Sequence, residues 1–222
     1  ATAAPARERS PRQMTPPLID GGAPAAGAGA SPVARGCAEG GPRPTPPWTF
    51  RYFNVIGADG DARLGEIPAV RGDEKDSRIA NALFDAASGR IGAFRVYGTD
   101  FPTRDGTAER DYVHVSDLVS AHLLMLQHRA PRGPGGCDFE AFNVGYGVPT
   151  SALALLRQAQ ALPGARPFQV KSFPRRFGDV PSVFADPARI KSLGWLPRYT
   201  NLTEALLTAW RFRQGHRHLF PG

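Results

Sequence analysis

Three short clusters carry the residue types that hold a phosphorylated ligand. Arg110 lies in Glu109-Arg110-Asp111-Tyr112, directly before the alternating run Tyr112-Val113-His114-Val115, where a planar guanidinium fork meets a phosphate in a defined geometry. Arg175-Arg176-Phe177-Gly178-Asp179 joins a cation pair to a glycine and to a carboxylate that accepts hydrogen bonds from sugar hydroxyls. Phe94-Arg95-Val96-Tyr97 sets an aromatic ring at a strand end, suited to packing on a flat base. Taken singly, each cluster also fits a plain structural part: surface Arg–Asp pairs, and Tyr97 as a core plug.

Charge points the same way. With 27 Lys+Arg against 20 Asp+Glu, the formal net charge of +7 favours an anionic partner. The arginines are dispersed rather than gathered into a basic stripe or interleaved with sheet aromatics, so a small phosphorylated ligand is expected and nucleic acid is not. Cys37 and Cys137 have no metal-site spacing and form no disulfide framework. His216 and His218 lack accompanying acidic or thiol ligands and read as a solvated tail. No apolar run reaches the length of a membrane span. The Arg-containing N-terminus, short of acidic residues, hints only weakly at a transit peptide, and no secretory h-region is visible.

Strands alternating with helices must position these clusters. Residues 1–47 are dominated by Ala, Pro, Gly, Arg and Ser and offer little to bury, so they are expected to be disordered. From Trp48 onward apolar residues recur regularly, giving a second region over 48–222. Phe50–Phe53 reads as a strand closed by Asn54, followed by a turn at 56–60 and a long loop over 59–76. Arg78–Ser88 has helical spacing and ends at Gly89. Phe94–Tyr97 alternates as a strand. After Val113-His114-Val115, Ser116 or Asp117 is expected to cap a helix reaching toward His128. A Pro/Gly loop over 129–138 precedes a strand at 139–144, and Thr150-Ser151 caps a helix over 152–161. A strand follows at 168–173, Asp186-Pro187 opens a short helix, and Asn201 or Thr203 opens the last one. The pattern is an α/β layered fold without internal repeats.

Taken with Arg51-Tyr52-Phe53-Asn54, the span Thr99–Leu118 (TDFPTRDGTAERDYVHVSDL) closely resembles the C-terminal half of the NAD-dependent UDP-sugar 4-epimerases, a branch of the extended short-chain dehydrogenase/reductase family. The resemblance covers about 50–222. It implies that Tyr52 and Phe53 border the nicotinamide of NAD and that Asn54 contacts the nucleotide sugar. It makes Arg110 and Arg176 diphosphate ligands, Asp179 a ribose or sugar ligand, and Arg95, Val96 and Tyr97 the strand that holds the uracil. Arg78-Ile79 stands where hexose epimerases commonly have Asn-Leu, and Val183 stands where some members carry Tyr or Cys. Both departures, with Asn54-Val55-Ile56-Gly57 and Arg63-Leu64-Gly65-Glu66, look more like the UDP-arabinose (UDP-xylose) type than the UDP-glucose/UDP-galactose type, and the sugar stays open. The resemblance further implies cytoplasmic location, or the Golgi if an anchor precedes, and allows a homodimer of the complete enzyme.

The family's base is a Tyr-x-x-x-Lys pair, and its cofactor loop a Gly-x-x-Gly-x-x-Gly turn at a helix N-terminus. Here Tyr52, Tyr97, Tyr112, Tyr146 and Tyr199 are followed four positions on by Ile56, Phe101, Ser116, Thr150 and Thr203. None is Lys, and the glycines near 21–29 follow no expected strand. Residues 1–47 are therefore read as unrelated sequence standing where the Rossmann half belongs, as in a truncated or mis-assembled gene product, and no catalytic residue is assigned. Two classes remain: an isomerase by ancestry holding the substrate half, and a non-catalytic nucleotide-sugar binding fragment. Same-fold dehydratases and decarboxylases are a lesser alternative.

Overall fold

The computed structural model describes residues 48–67, 78–128 and 140–220. The expected disorder over 1–47, both cysteines and the 129–138 loop lie outside the described residues. Within them the α/β reading holds. Strand β1 (Trp48–Tyr52) pairs in parallel with β6 (Glu140–Val144), and β2 (Asn54–Ile56) pairs in parallel with β5 (Tyr112–His114). Strand β3 (Ala93–Tyr97) pairs in parallel with β8 (Gln169–Phe173). A three-stranded sheet that the sequence pattern did not signal joins β4 (Glu109–Arg110) to β7 (Thr150–Ser151) and β9 (Ser182–Val183). The five helices are α1 (Ile79–Ser88), α2 (Val115–Gln127), α3 (Ala152–Gln160), α4 (Ala188–Ser192) and α5 (Leu202–Gly215).

Several boundaries follow their expected chemistry. Gly89 ends α1 in the left-handed conformation at φ 80°, returning its N–H to the Ala86 and Asp85 carbonyls. The Ser151 hydroxyl accepts from the Ala154 N–H at the start of α3, and the Asn201 side chain accepts from Thr203 and Glu204 at the start of α5. Two expectations are corrected. The first strand breaks at Phe53, and the chain resumes as β2 where a turn was expected at Ile56. The cap of α2 is neither Ser116 nor Asp117: His114 Nδ1 accepts from the Ser116 N–H, which leaves the Asp117 carboxylate free to turn into the core.

Strand β5 divides the interior, because successive side chains point to opposite faces. Tyr112 packs with Leu83, Phe84, Val96, Leu155, Leu206 and Trp210 between α1, α3 and α5. Val113 packs with Met125, Phe142, Ile190 and Trp195 beneath α2 and β6. Two buried carboxylates tie these cores together. Asp111 accepts from the backbone N–H groups of Tyr146 (3.0 Å), Gly147 (2.8 Å) and Ala185 (3.1 Å). Asp117 accepts from the Tyr146 hydroxyl (2.6 Å) and from the N–H groups of Arg198 and Tyr199 (both 2.8 Å).

His114 is held from every side. The Ser116 N–H occupies Nδ1, so the proton sits on Nε2 and is donated to Thr208 Oγ1 at 3.0 Å. The Tyr199 ring stacks on it at 3.9 Å. Gly57, at φ 94°, lets the backbone pass so close that an added Cβ would lie 2.3 Å from the imidazole.

Removing the Asp111 carboxylate leaves three N–H groups without acceptors, that of Ala185 buried and those of Tyr146 and Gly147 half-buried. Asp111→Ala should destabilise the fold by about 3–5 kcal/mol, the cost of stripping one partner from a buried charged network. Asp111→Asn, which keeps one acceptor oxygen, should lose less. Urea unfolding reads both: the midpoint should fall at unchanged slope.

Burial pushes the His114 imidazole below its ordinary value of 6.5, against a smaller opposing effect of Asp117. The unfolded chain therefore binds more protons than the native one between the depressed value and the ordinary one. This contribution to stability is complete above that ordinary value and is lost as the pH falls below it. Urea midpoints at two pH values either side of it should differ more for the native chain than for His114→Gln.

Candidate functional site

The 174–181 loop between β8 and β9 gathers three of the expected site clusters at one end of the strands. Arg110, half-buried on β4, donates from Nη1 to the Glu109 carbonyl (2.7 Å) and to the Val180 carbonyl (3.0 Å). One residue before Val180, Asp179 accepts from Arg176 Nε at 3.1 Å. The Arg176 guanidinium lies over the Tyr97 ring, 4.9 Å from its centre. Tyr97, Arg176 and Asp179 thus form a chain of contacts, and Arg110 joins the same loop one residue on, at the Val180 carbonyl.

Both arginines keep donors in reserve. The Nε and Nη2 groups of Arg110, and both terminal nitrogens of Arg176, make no hydrogen bond to any of the described residues. Arg176 is 61% exposed while Asp179 is 20% exposed, so a loosely held cation stands over a better-fixed carboxylate. Arg175 is turned away. It pairs with Asp100 at 2.7 Å and lies over the Phe101 ring, bracing the loop against the turn after β3.

Asn54 reaches the same region through the backbone. Its N–H donates to the Asp111 carbonyl at 3.0 Å, and its side chain is exposed beside β5. Asp111 in turn donates to the Val183 carbonyl, so one residue fixes the ends of β2 and β9 around Arg110. Tyr52 is exposed and Phe53 half-buried at the C-terminal end of β1.

The strand residues divide by alternation. Arg95 faces outward over the Phe173 ring, whereas Val96 is buried in the core and offers a ligand only its backbone. Tyr97 is half-buried against Phe173, with ring centres 5.6 Å apart. Arg78 stands apart from these contacts: it pairs with Glu66 at the mouth of α1, and Ile79 packs against the first core.

Two tyrosines near the site are held protonated. Burial drives the Tyr112 hydroxyl up to about 12. Burial, then the hydrogen bond to Asp117, drives Tyr146 further in the same direction. Sequence reasoning missed the positioning roles of Asp111 and of Asp117, the latter read only as a possible helix cap. The short apolar surroundings of Asp111 were the available signal, since a carboxylate between an arginine and a buried strand needs partners. Among the described residues, no group of three or more His, Cys, Asp or Glu side chains could hold a metal ion. No helix among them is long and apolar enough to cross a membrane.

Residues 38–145 match the family described as the NAD dependent epimerase/dehydratase family. The chain is 43% identical over 170 residues to UDP-arabinose 4-epimerase 1 of Arabidopsis thaliana, covering 76% of this chain and 39% of that protein. It is 38% identical to the UDP-glucose 4-epimerase of Lactobacillus helveticus, covering 75% of this chain and 48% of that protein. The structure superposes with a TM-score of 0.67 and 34% identity on UDP-glucose-4-epimerase from Stenotrophomonas maltophila, solved with bound NAD and formylated UDP-arabinopyranose. That match covers 77% of this chain and 48% of the other. A UDP-glucose 4-epimerase from Bifidobacterium longum, solved with NAD+ and UDP, gives a TM-score of 0.66 at 28% identity, over 78% of this chain and 49% of that one. The chain therefore spans about two fifths to a half of the relatives it matches. Sequence and fold together show that it belongs to the NAD-dependent epimerase/dehydratase family, beside UDP-sugar 4-epimerases.

Proposed function

We propose that the chain is the UDP-sugar-binding, C-terminal half of an NAD-dependent UDP-sugar 4-epimerase, of the UDP-arabinose/UDP-xylose or the UDP-glucose/UDP-galactose type. The observation that carries this reading is the pair of half-used guanidiniums, Arg110 on β4 and Arg176 on the 174–181 loop, which meet the same loop through the Val180 carbonyl and Asp179. Two such forks hold a diphosphate from both sides, and the Arg176–Asp179 contact is exposed enough to yield to it. The Tyr97 ring, already under a guanidinium, supplies a flat wall for the base, with Arg95 and the Val96 backbone beside it. Asn54 faces the sugar from β2, and Arg78-Ile79 is kept as the more distant part of the site.

Two surfaces support a larger assembly around this half. Strand β1 pairs on only one side among the described residues. Helix α2 buries Ala121 and Met125 yet leaves Val119, Leu123 and Leu126 exposed as a second apolar stripe. A cofactor-binding layer that extends the β1 sheet would cover both, placing the nicotinamide against Tyr52 and Phe53. When bound there, NAD supplies hydride acceptance and return at the sugar C4. The residues of this chain bind the diphosphate, orient the sugar and seat the base. A non-catalytic nucleotide-sugar binder shares the same contacts and differs only in turnover.

Arg110→Ala and Arg176→Ala should each weaken UDP binding about ten- to a hundred-fold, the loss of one charged phosphate contact. Arg211→Ala, exposed on α5, should leave it within about twofold. Calorimetric titration of the full chain with UDP measures all three, and an equal loss at Arg211 would reduce the site to general electrostatics. Without a Tyr-x-x-x-Lys pair the chain alone, given NAD and a UDP-sugar, should show no epimerisation above background by product chromatography. Turnover by the purified chain would overturn the division of labour.

A further inference from the structure

A second basic site lies away from the residues assigned to UDP, beside the C-terminal ends of α1 and α5. Arg90, Arg166, Arg213 and Arg217 line a cavity of about 190 Å³, with Trp210 and Phe220 forming its apolar wall. Four arginines line the space, and the carboxylate paired with them is Asp85, shared by Arg213 and, at 3.6 Å, by Arg90, with Glu66 acting on Arg213 from further off. Among the described residues no carboxylate pairs with Arg166 or Arg217; the Arg217 guanidinium rests on the Gln214 side-chain carbonyl instead.

Arg213 makes the arrangement more than a solvated face. Its side chain is 6% exposed, fixed by Asp85, by the Asn81 carbonyl at 3.3 Å and by the Phe220 ring at 4.4 Å. Such a cation costs desolvation, and the neighbouring Arg90 adds repulsion, offset mainly by Asp85 and to a smaller extent by Glu66. The Arg166 backbone is pinned as well, its N–H donating to the Ala87 carbonyl at 2.7 Å, which holds the segment carrying its guanidinium at the cavity rim. Preset guanidinium donors around a space with excess positive charge match a compact, multiply charged oxyanion.

We propose that this cavity binds a phosphate group, either free inorganic phosphate or the head of a small phosphomonoester whose organic part lies on the Trp210 and Phe220 wall. The site is independent of the UDP contacts, since it shares no residue with the Arg110–Arg176 loop. Arg213 and Arg90 grip the anion from the helix side, and Arg166 and Arg217 close over it from the rim.

The test is calorimetric titration of the full chain with inorganic phosphate and with phenyl phosphate, against sodium chloride at equal ionic strength. The double substitution Arg166→Gln/Arg217→Gln affects only exposed side chains, and its circular dichroism spectrum should match that of the native chain. It should weaken both ligands about ten- to a hundred-fold, while Arg211→Gln and Arg176→Ala leave at least one phosphate equivalent bound with native affinity. Tighter binding of phenyl phosphate would assign the monoester, and equal binding the free anion. The proposal is overturned if phosphate binds no better than chloride, if Arg211→Gln weakens it as much as the double variant, or if Arg176→Ala alone abolishes it.

Discussion

The placement of Arg110 and Asn54 depends on a buried carboxylate that is spent on the backbone around them. Asp111 is 1% exposed and spends its charge on three backbone N–H groups from two separate loops. Its own backbone carbonyl receives Asn54, and its N–H reaches Val183. A neutral side chain could not satisfy three converging donors, and an unpaired charge at this depth would be costly. The two requirements meet in one arrangement, which sets β2, β9 and the 145–147 turn around Arg110. Asp117 repeats the device beyond β5, in the first turn of α2, gathering Tyr146, Arg198 and Tyr199.

Burial sorts the arginines into separate tasks. Arg213 and Asp85 form a mostly buried pair, whose worth lies in fixing α5 against α1 and whose rupture would strand a charge. Arg176 and Asp179 are joined by a comparable contact at the surface, worth about 0–1 kcal/mol at most. The proposed diphosphate would need to displace little there. The same residue pair is thus a structural bolt in one place and a latch in the other, and the difference is solvent rather than chemistry.

Much of this was legible in the residues. Helix ends followed local rules because glycine at 89, serine at 151 and asparagine at 201 act on their own neighbours. The order of strands and helices followed from periodicity. The joint of Arg110, Arg176, Asp179 and Tyr97 was legible only through the family resemblance, since residues far apart in sequence carry no mark of their meeting. What escaped was long-range. Strands of two residues, such as β4, β7 and β9, are too short for a periodic pattern and exist because neighbouring backbone is held for them. His114 displaced the expected cap for a similar reason: Thr208, Tyr199 and Gly57 are all brought in by the fold, and together they orient the imidazole toward Ser116.

Alternation along single strands explains why the site is open on one side and rigid on the other. On β3, Phe94 and Val96 enter the core while Arg95 and Tyr97 are left for the surface, so the residues that anchor the strand are the immediate neighbours of those proposed to face a ligand. On β5, Tyr112 and Val113 feed two different cores, so neither core can shift without moving the strand that follows Arg110. Phe177, fully exposed between Arg176 and Gly178, has no such anchor. An apolar ring left in water at the tip of the 174–181 loop lowers its free energy by being covered, and the nucleotide sugar proposed to sit on the two arginines would lie next to it.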